Sequence, residues 1–373
     1  TTDYALAGRS LPLVMVITAT FATWFGSETV LGLPGQFIQN GLSGVVEEPF
    51  GSSMALILVG MFFARKLYRM SLLTVGDFYR RRYGVSVELC CSIFVVLSYL
   101  GWVAAQVAAL GLVIHLLTEG YVSVSNAMIV GTIVVLIYTV FGGMWSVALT
   151  DFFQMIIIVI GLVIVACFAG SMAGGPMKVA EYASEHQLFR FFPENTFKDW
   201  MFWTSAAITM MIGSIPQQDV FQRVMSAKSE KIACFGPILG GSFYLLFASV
   251  PMFIVIAATL AVPDLAAKLM ASDPQEILPS FIKEYMPLWL RILFFGAVLS
   301  AVMSTASATM LAPTTTFVEN VLRNIMPLSD QRELKAMRIS LIVFAIGVLI
   351  YALSMEGTPI YELEAMAYQF PVI

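Results

Sequence analysis

Apolar runs long enough to cross a lipid bilayer recur along the whole chain, and no other feature restricts its fold as much. A hydrocarbon core about 30 Å thick needs roughly 20 mainly apolar residues of helix. Every peptide group inside it must be hydrogen-bonded within the protein, so continuous apolar runs of this length predict an all-α integral membrane fold. Ten spans are predicted: residues 11–40, 49–64, 88–117, 125–140, 145–170, 200–225, 232–262, 288–323, 336–353 and 360–373. Only 12% of the 373 residues are charged and 59% are hydrophobic. An ordinary globular chain carries about 25% charge, which leaves too little polar surface here for water-facing domains or a soluble enzyme.

The charges that remain are informative. With 20 basic and 24 acidic residues the net charge is −4, so no basic field exists to hold nucleic acid. Cys90, Cys91, Cys167 and Cys234 lie in apolar runs, and the two histidines, His115 and His186, have no cysteine near them in sequence. That inventory builds neither a disulfide framework nor a zinc site. No nucleophile and base pair suggests an intramembrane enzyme. Cytoplasmic loops collect Lys and Arg. Placing the loop between spans two and three inside assigns it Arg65, Lys66, Arg69, Arg80, Arg81 and Arg82. The same side then receives Arg9, Arg223, Lys228, Lys231, Arg323, Arg332, Lys335 and Arg338, fourteen of the twenty basic residues. Between spans, LLTVGDFYRRRY at 72–83 reads as an interfacial helix, 177–199 as an outer stretch, and 263–286 as a connection with a short helix at 275–285. The chain opens without Met or a signal peptide and stops inside an apolar run, which reads as a piece of a longer membrane protein.

Two spans are interrupted at their middles. In TATFATWFGSETVLGLPG, Gly26, Ser27, Glu28 and Thr29 break span one. In MMIGSIPQQDVFQRV, Gly213, Ser214, Pro216, Gln217, Gln218 and Asp219 break span six. Proline removes a backbone donor and obstructs the preceding turn, freeing carbonyls that need other partners in hydrocarbon. Each break lies in the first span of a group of five. Paired discontinuous helices at corresponding places of two halves point to inverted repeats with a midplane binding site, here 11–170 and 200–373 of a single transporter domain, 1–373. Gly and Pro also occur in membrane helices as simple packing kinks.

The segments DYALAGRSLP, GLPG, VFGGMWSVALTDFFQ, FQRV and AVMSTASATML, in that order, resemble the solute:sodium symporter family of proline, sugar, sialic acid and choline carriers. FFARK and the elements of span six look most like the choline-carrier branch, and the proline-carrier motifs match nearly as well. The resemblance implies ten core helices in two inverted five-helix repeats, with helices one and six discontinuous, and the last helix truncated here. It also implies a sodium ion held by carbonyls of Ala22 and Phe25 on span one, the carbonyl of Ala301, and the hydroxyls of Ser304 and Thr305 on span eight. Asp151 with Ser307 matches a second sodium site of some members, although Ala308 stands where a further hydroxyl is wanted. Read from the residues alone, Ala301, Ser304, Thr305 and Ala308 share one helix face and equally suit close helix packing.

Glu28 sits in mid-span, where a charge demands a partner: a solute ammonium, a proton, or a Lys or Arg of the protein. Trp24 lies at the same break as Glu28 and Ser27, and Trp102 and Gln106 form an i, i+4 pair on span three. Two tryptophans match positions of the aromatic cage of the choline branch. Ser52 and Gln217 stand where that branch places aromatics, which favours a smaller or more polar amine or an amino acid. Trp145, Trp200, Trp203 and Trp289 fall near span ends as interface anchors. The expectation is a sodium-coupled symporter for a small organic solute in the plasma (inner) membrane, working by alternating access, with no obligate protein partner. The alternative is a solute-sensing membrane domain of a signalling protein.

Overall fold

Interruptions of the helices shape this molecule more than the helices themselves. The computed structural model describes residues 2–193, 196–326, 329–360 and 362–363, among which no strand forms. The first span is two helices, α1 (Leu13–Trp24) and α2 (Glu28–Asn40), bent by 57° across residues 25–27. Span two is α3 (Leu42–Met70). The interfacial helix α4 (Val75–Tyr83) starts at a capping box: Thr74 Oγ1 accepts the Asp77 N–H, and Asp77 Oδ2 accepts the Thr74 N–H. Span three is α5 (Val85–Leu117), and α6 (Val124–Met172) holds the next two. After α7 (Pro176–Glu185) the sixth span is again two helices, α8 (Phe197–Gly213) and α9 (Gln218–Ser226). Then come α10 (Glu230–Ala261), α11 (Pro263–Ser272), α12 (Ile277–Tyr285), α13 (Leu288–Ile325) and α14 (Asp330–Ser354). The predicted tenth span falls almost wholly outside the described residues.

Several boundaries differ from expectation, among them the end of span two and the junction of spans four and five. Span two was expected to end at 64, but α3 runs on to Met70. Arg65, Lys66 and Arg69 therefore sit on its last turns, and Arg65 and Arg69 reach Glu230 at 3.1 and 2.8 Å. Long basic stems can lie along a helix end while their heads stay in water, so charge alone does not mark where a span stops. The predicted fourth and fifth spans are joined in α6 with a single reversal at Gly143 (φ 55, ψ −152). A side chain is strained at such a backbone angle, and a Cβ there would lie 2.6 Å from the Tyr4 carbonyl oxygen. Gly143→Ala should therefore lower stability by about 1–3 kcal/mol or more, read as a fall in the unfolding temperature in detergent.

The fold is apolar inside and out. Ile133, Ile137, Phe141, Phe153 and Ile160 face outward from α6 as lipid-suited surface, while α5, α6 and α13 pack on one another and α1 lies against α6, α10 and α13. On the side carrying the basic loops the two broken spans are tied together. Leu11 N–H donates to Ser226 O (3.0 Å) and Lys228 N–H to Leu11 O (2.9 Å). Tyr68 clamps the same junction, donating to Ala227 O at 3.0 Å and lying under the Arg9 guanidinium at 4.2 Å.

Candidate functional site

The helix of α1 stops at Trp24 because Phe25 turns to φ −96, ψ 67, so the carbonyls just before the break point away from a continuing ladder. Span eight comes to meet them. Its small face lets α13 approach closely, and Thr305 Oγ1 and Ser304 Oγ reach the Ala22 oxygen at 3.1 and 3.3 Å. Ser304 also contacts Asp151 Oδ1, whose second oxygen, Oδ2, has no partner. Ala22, Phe25, Ala301, Asp151, Ser304 and Thr305 are all fully buried. The oxygens of Ala22, Ser304, Thr305 and Asp151 are thus brought together, with Phe25 at the break and Ala301 one turn earlier on the same face of α13. Ser307 stands beside this group, one turn of α13 from Ser304. Its hydroxyl donates to Ser304 O at 2.9 Å, and Asp151 contacts the Ser304 hydroxyl.

Just beyond the break, Glu28 curls back toward the same place. Its carboxylate, 1% exposed, accepts from Gln106 Nε2 (2.7 Å), Ser27 Oγ (3.3 Å) and Trp102 Nε1 (3.4 Å), and Gln106 Oε1 accepts the Ser27 N–H (3.1 Å). Gly26 stands between the two groups: a Cβ there would lie 2.7 Å from both Glu28 Oε2 and Thr305 Oγ1. Gly26 is therefore the one shared wall between the Ala22, Ser304 and Thr305 oxygens and the Glu28 carboxylate. Trp24 packs on Trp102 with centroids 5.5 Å apart at 62°. Of the other expected pocket residues, Ser52 donates to Pro49 O on its own helix (3.1 Å), and Gln217, at the second break, leaves Oε1 buried and unpartnered.

Two networks escaped the sequence reading. Arg223, counted there among cytoplasmic loop charges, is 1% exposed inside the bundle. It donates from Nη1 to Asp219 O (2.8 Å), from Nε to Ala19 O (3.3 Å) and from Nη2 to Thr23, and its charge faces Asp151 and Asp219. Tyr99 joins this group from α5, donating to Asp219 Oδ1 at 2.5 Å while its ring stacks on Trp102 at 5.9 Å. The signals were an i, i+4 acid and base directly after the break and a tyrosine one turn before Trp102. In the second network buried Glu48 contacts Thr29 Oγ1 (2.9 Å) and the Tyr244 hydroxyl on the opposite side of span one. It sits just before the expected start of span two, so nothing in the sequence marked it as interior.

A cavity of about 820 Å³ opens away from the basic loops, with Asn40, Glu47, His186, Arg190, Asp199 and Trp203 among its walls. Glu28, Trp24 and Trp102 are not part of its lining, and each is 1% exposed.

Residues 4–369 match the profile of the sodium:solute symporter family. High-affinity choline transporter 1 of Caenorhabditis elegans is 26% identical over 372 residues, covering 96% of this chain and 63% of that protein. The protein of the same name from Drosophila melanogaster is 28% identical, covering 98% and 59%. The chain thus spans about three fifths of the length of these curated relatives. In structure it superposes on a Na+-coupled sialic acid symporter in a substrate-bound outward-open state with a TM-score of 0.83 at 18% identity, covering 99% of this chain and 80% of that one. The fold is accordingly that of the sodium symporters built from inverted repeats.

Proposed function

This chain belongs to the sodium:solute symporter family, and we propose that it couples inward sodium movement to uptake of a small organic solute, an amine or an amino acid, by alternating access. Members of this family are transporters, not enzymes. The observation that supports the proposal most is the meeting of Ser304 and Thr305 with the Ala22 carbonyl at the break of span one. Sodium is a hard cation served by several oxygens. Its ligands here are the carbonyls of Ala22, Phe25 and Ala301 and the hydroxyls of Ser304 and Thr305, with Asp151 behind Ser304. In this reading any second ion lies at Asp151 toward Ser307, and Trp24, Ser27, Glu28, Trp102 and Gln106 hold the solute, with Ser52 and Gln217 completing the pocket.

Coupling follows from the shared wall. An ion bridging α1 and α13 fixes the position of Gly26, and with it the Glu28 carboxylate against which the solute docks. By linkage the solute raises sodium affinity by the same factor that sodium raises solute affinity. Moving one charge down the membrane potential supplies about 2.3 kcal/mol per 100 mV. Proteoliposomes given an inward sodium gradient are expected to accumulate the solute, and equal accumulation after sodium is replaced by potassium would refute the coupling.

The same reading puts the loop between spans two and three in the cytoplasm of a plasma-membrane protein. With Arg223 inside the bundle, thirteen of the remaining nineteen basic residues stay on that side. A single cysteine placed in that loop should resist impermeant maleimide added outside intact cells.

A further inference from the structure

The second half of a broken span begins with unpaired N–H groups and the positive end of a helix dipole, a ready seat for an anion. In discontinuous-helix transporters such an end can face an anionic group of the solute. Here both seats are filled by the chain itself. At the start of α2 the Glu28 carboxylate accepts from the Ser27 hydroxyl, while Gln106 Oε1 takes the Ser27 N–H. At the start of α9 the Tyr99 hydroxyl donates to Asp219 Oδ1 (2.5 Å) and its oxygen takes the Asp219 N–H (2.9 Å). A solute carboxylate arriving at either break would meet a resident one.

The two resident acids differ in their company. Asp219 has Arg223 one turn later, within reach of its backbone oxygen and facing its charge. The corresponding position after Glu28 is Gly32. What faces Glu28 from α5 is Trp102 and Gln106, from α13 Thr305, and from α10 the phenol of Tyr244, none of them basic. Among the described residues Glu28 therefore has hydrogen-bond donors and no countercharge facing it. Nor do the indoles form a cage for a bulky ion: Trp24 and Trp102 touch at 5.5 Å, leaving no gap between them, and Tyr99 covers one face of Trp102. Gln217 Oε1, at the opposite break, is a buried acceptor without a donor.

We infer that the solute is a protonated primary or secondary amine that carries no carboxylate, paired to Glu28 through its N–H donors. This rests on the symporter reading above and narrows its substrate class, excluding amino acids and quaternary ammonium ions as preferred solutes.

The test compares purified protein in sodium and in potassium by thermal shift, with competition in proteoliposome uptake. Matched probes are ethanolamine against glycine, pyrrolidine against proline, and ethanolamine against choline. Sodium-dependent stabilisation by the amines, at least tenfold weaker with glycine, proline and choline, is the expected result. A response to either amino acid equal to that of its amine, or to choline equal to that of ethanolamine, overturns the inference, as does a response confined to sugars or carboxylates. Glu28→Gln should weaken amine binding about 10- to 100-fold, the effect of losing one charge-assisted pair. Glu28→Asp, which keeps the charge, should retain the order of preference, and loss of that order there also overturns it. Stabilisation by sodium alone separates the two levels. If it is present while the amines fail, the symporter reading stands and this inference falls; if sodium itself has no effect, the reading beneath it falls.

Discussion

Replacing Thr305 with alanine should weaken apparent sodium affinity about 10- to 100-fold, with uptake at saturating sodium recovering much of its rate. The hydroxyl lies 3.1 Å from the Ala22 oxygen in a fully buried position, so no water would take its place beside the proposed ion. Loss of one hydrogen-bonding oxygen to a charged partner costs about 1.5–3 kcal/mol. Ser304→Ala should act in the same direction and additionally strand Asp151, whose Oδ1 contacts that hydroxyl. Thr305→Ser keeps the oxygen and should stay near the parent. The measurement is the sodium concentration for half-maximal uptake or stabilisation. An unchanged value in both alanine variants would remove sodium from this place.

Arg223→Leu should destabilise the protein by about 3–5 kcal/mol, the usual consequence of deleting one side of a buried charge group. Three hydrogen bonds leave with it, to Ala19 O, Asp219 O and Thr23, and the carboxylates of Asp219 and Asp151 lose the charge that faces them. The double variant Arg223→Leu with Asp219→Asn should recover part of the loss, because one of the uncompensated charges goes too. Arg223→Lys should lie between, since an ammonium keeps the charge but not the forked geometry that reaches α1 and its own helix at once. Thermal unfolding in detergent reads all three. A leucine variant as stable as the parent would show that Arg223 compensates nothing, and a double variant no better than the single would separate it from Asp219.

How far the site could be read in advance differed from residue to residue. Glu28, Gln106 and Trp102 were legible because a carboxylate, an amide and an indole in mid-span are each too costly to bury without reason. Ser304 and Thr305 were legible as hydroxyls on a small-residue face. Arg223 was misjudged because thirteen other basic residues stood with it on one side, and a count of loop charges has no depth coordinate. Glu48 was missed for the converse reason: it precedes its apolar run, and only the packing of α10 against the start of α3 puts Tyr244 over it. Ser307 was placed in the second ion site by its position on α13, but its hydroxyl bonds back within its own helix. Serine on a membrane helix always has that alternative, and neighbours decide between the two.

Residence in a membrane, helical spans and the places of two breaks were legible in the order of residues. Those properties follow from transfer energies and backbone chemistry, which act on each segment whatever surrounds it. Contacts in three dimensions bring the break of span one to the hydroxyls of span eight, put Gly26 between Thr305 and Glu28, and give Asp219 an arginine while Glu28 has none facing it. Those depend on contacts between residues far apart in the chain, and hydrogen-bond and charge energies change steeply over an ångström or two, a scale on which periodicity and composition carry no information.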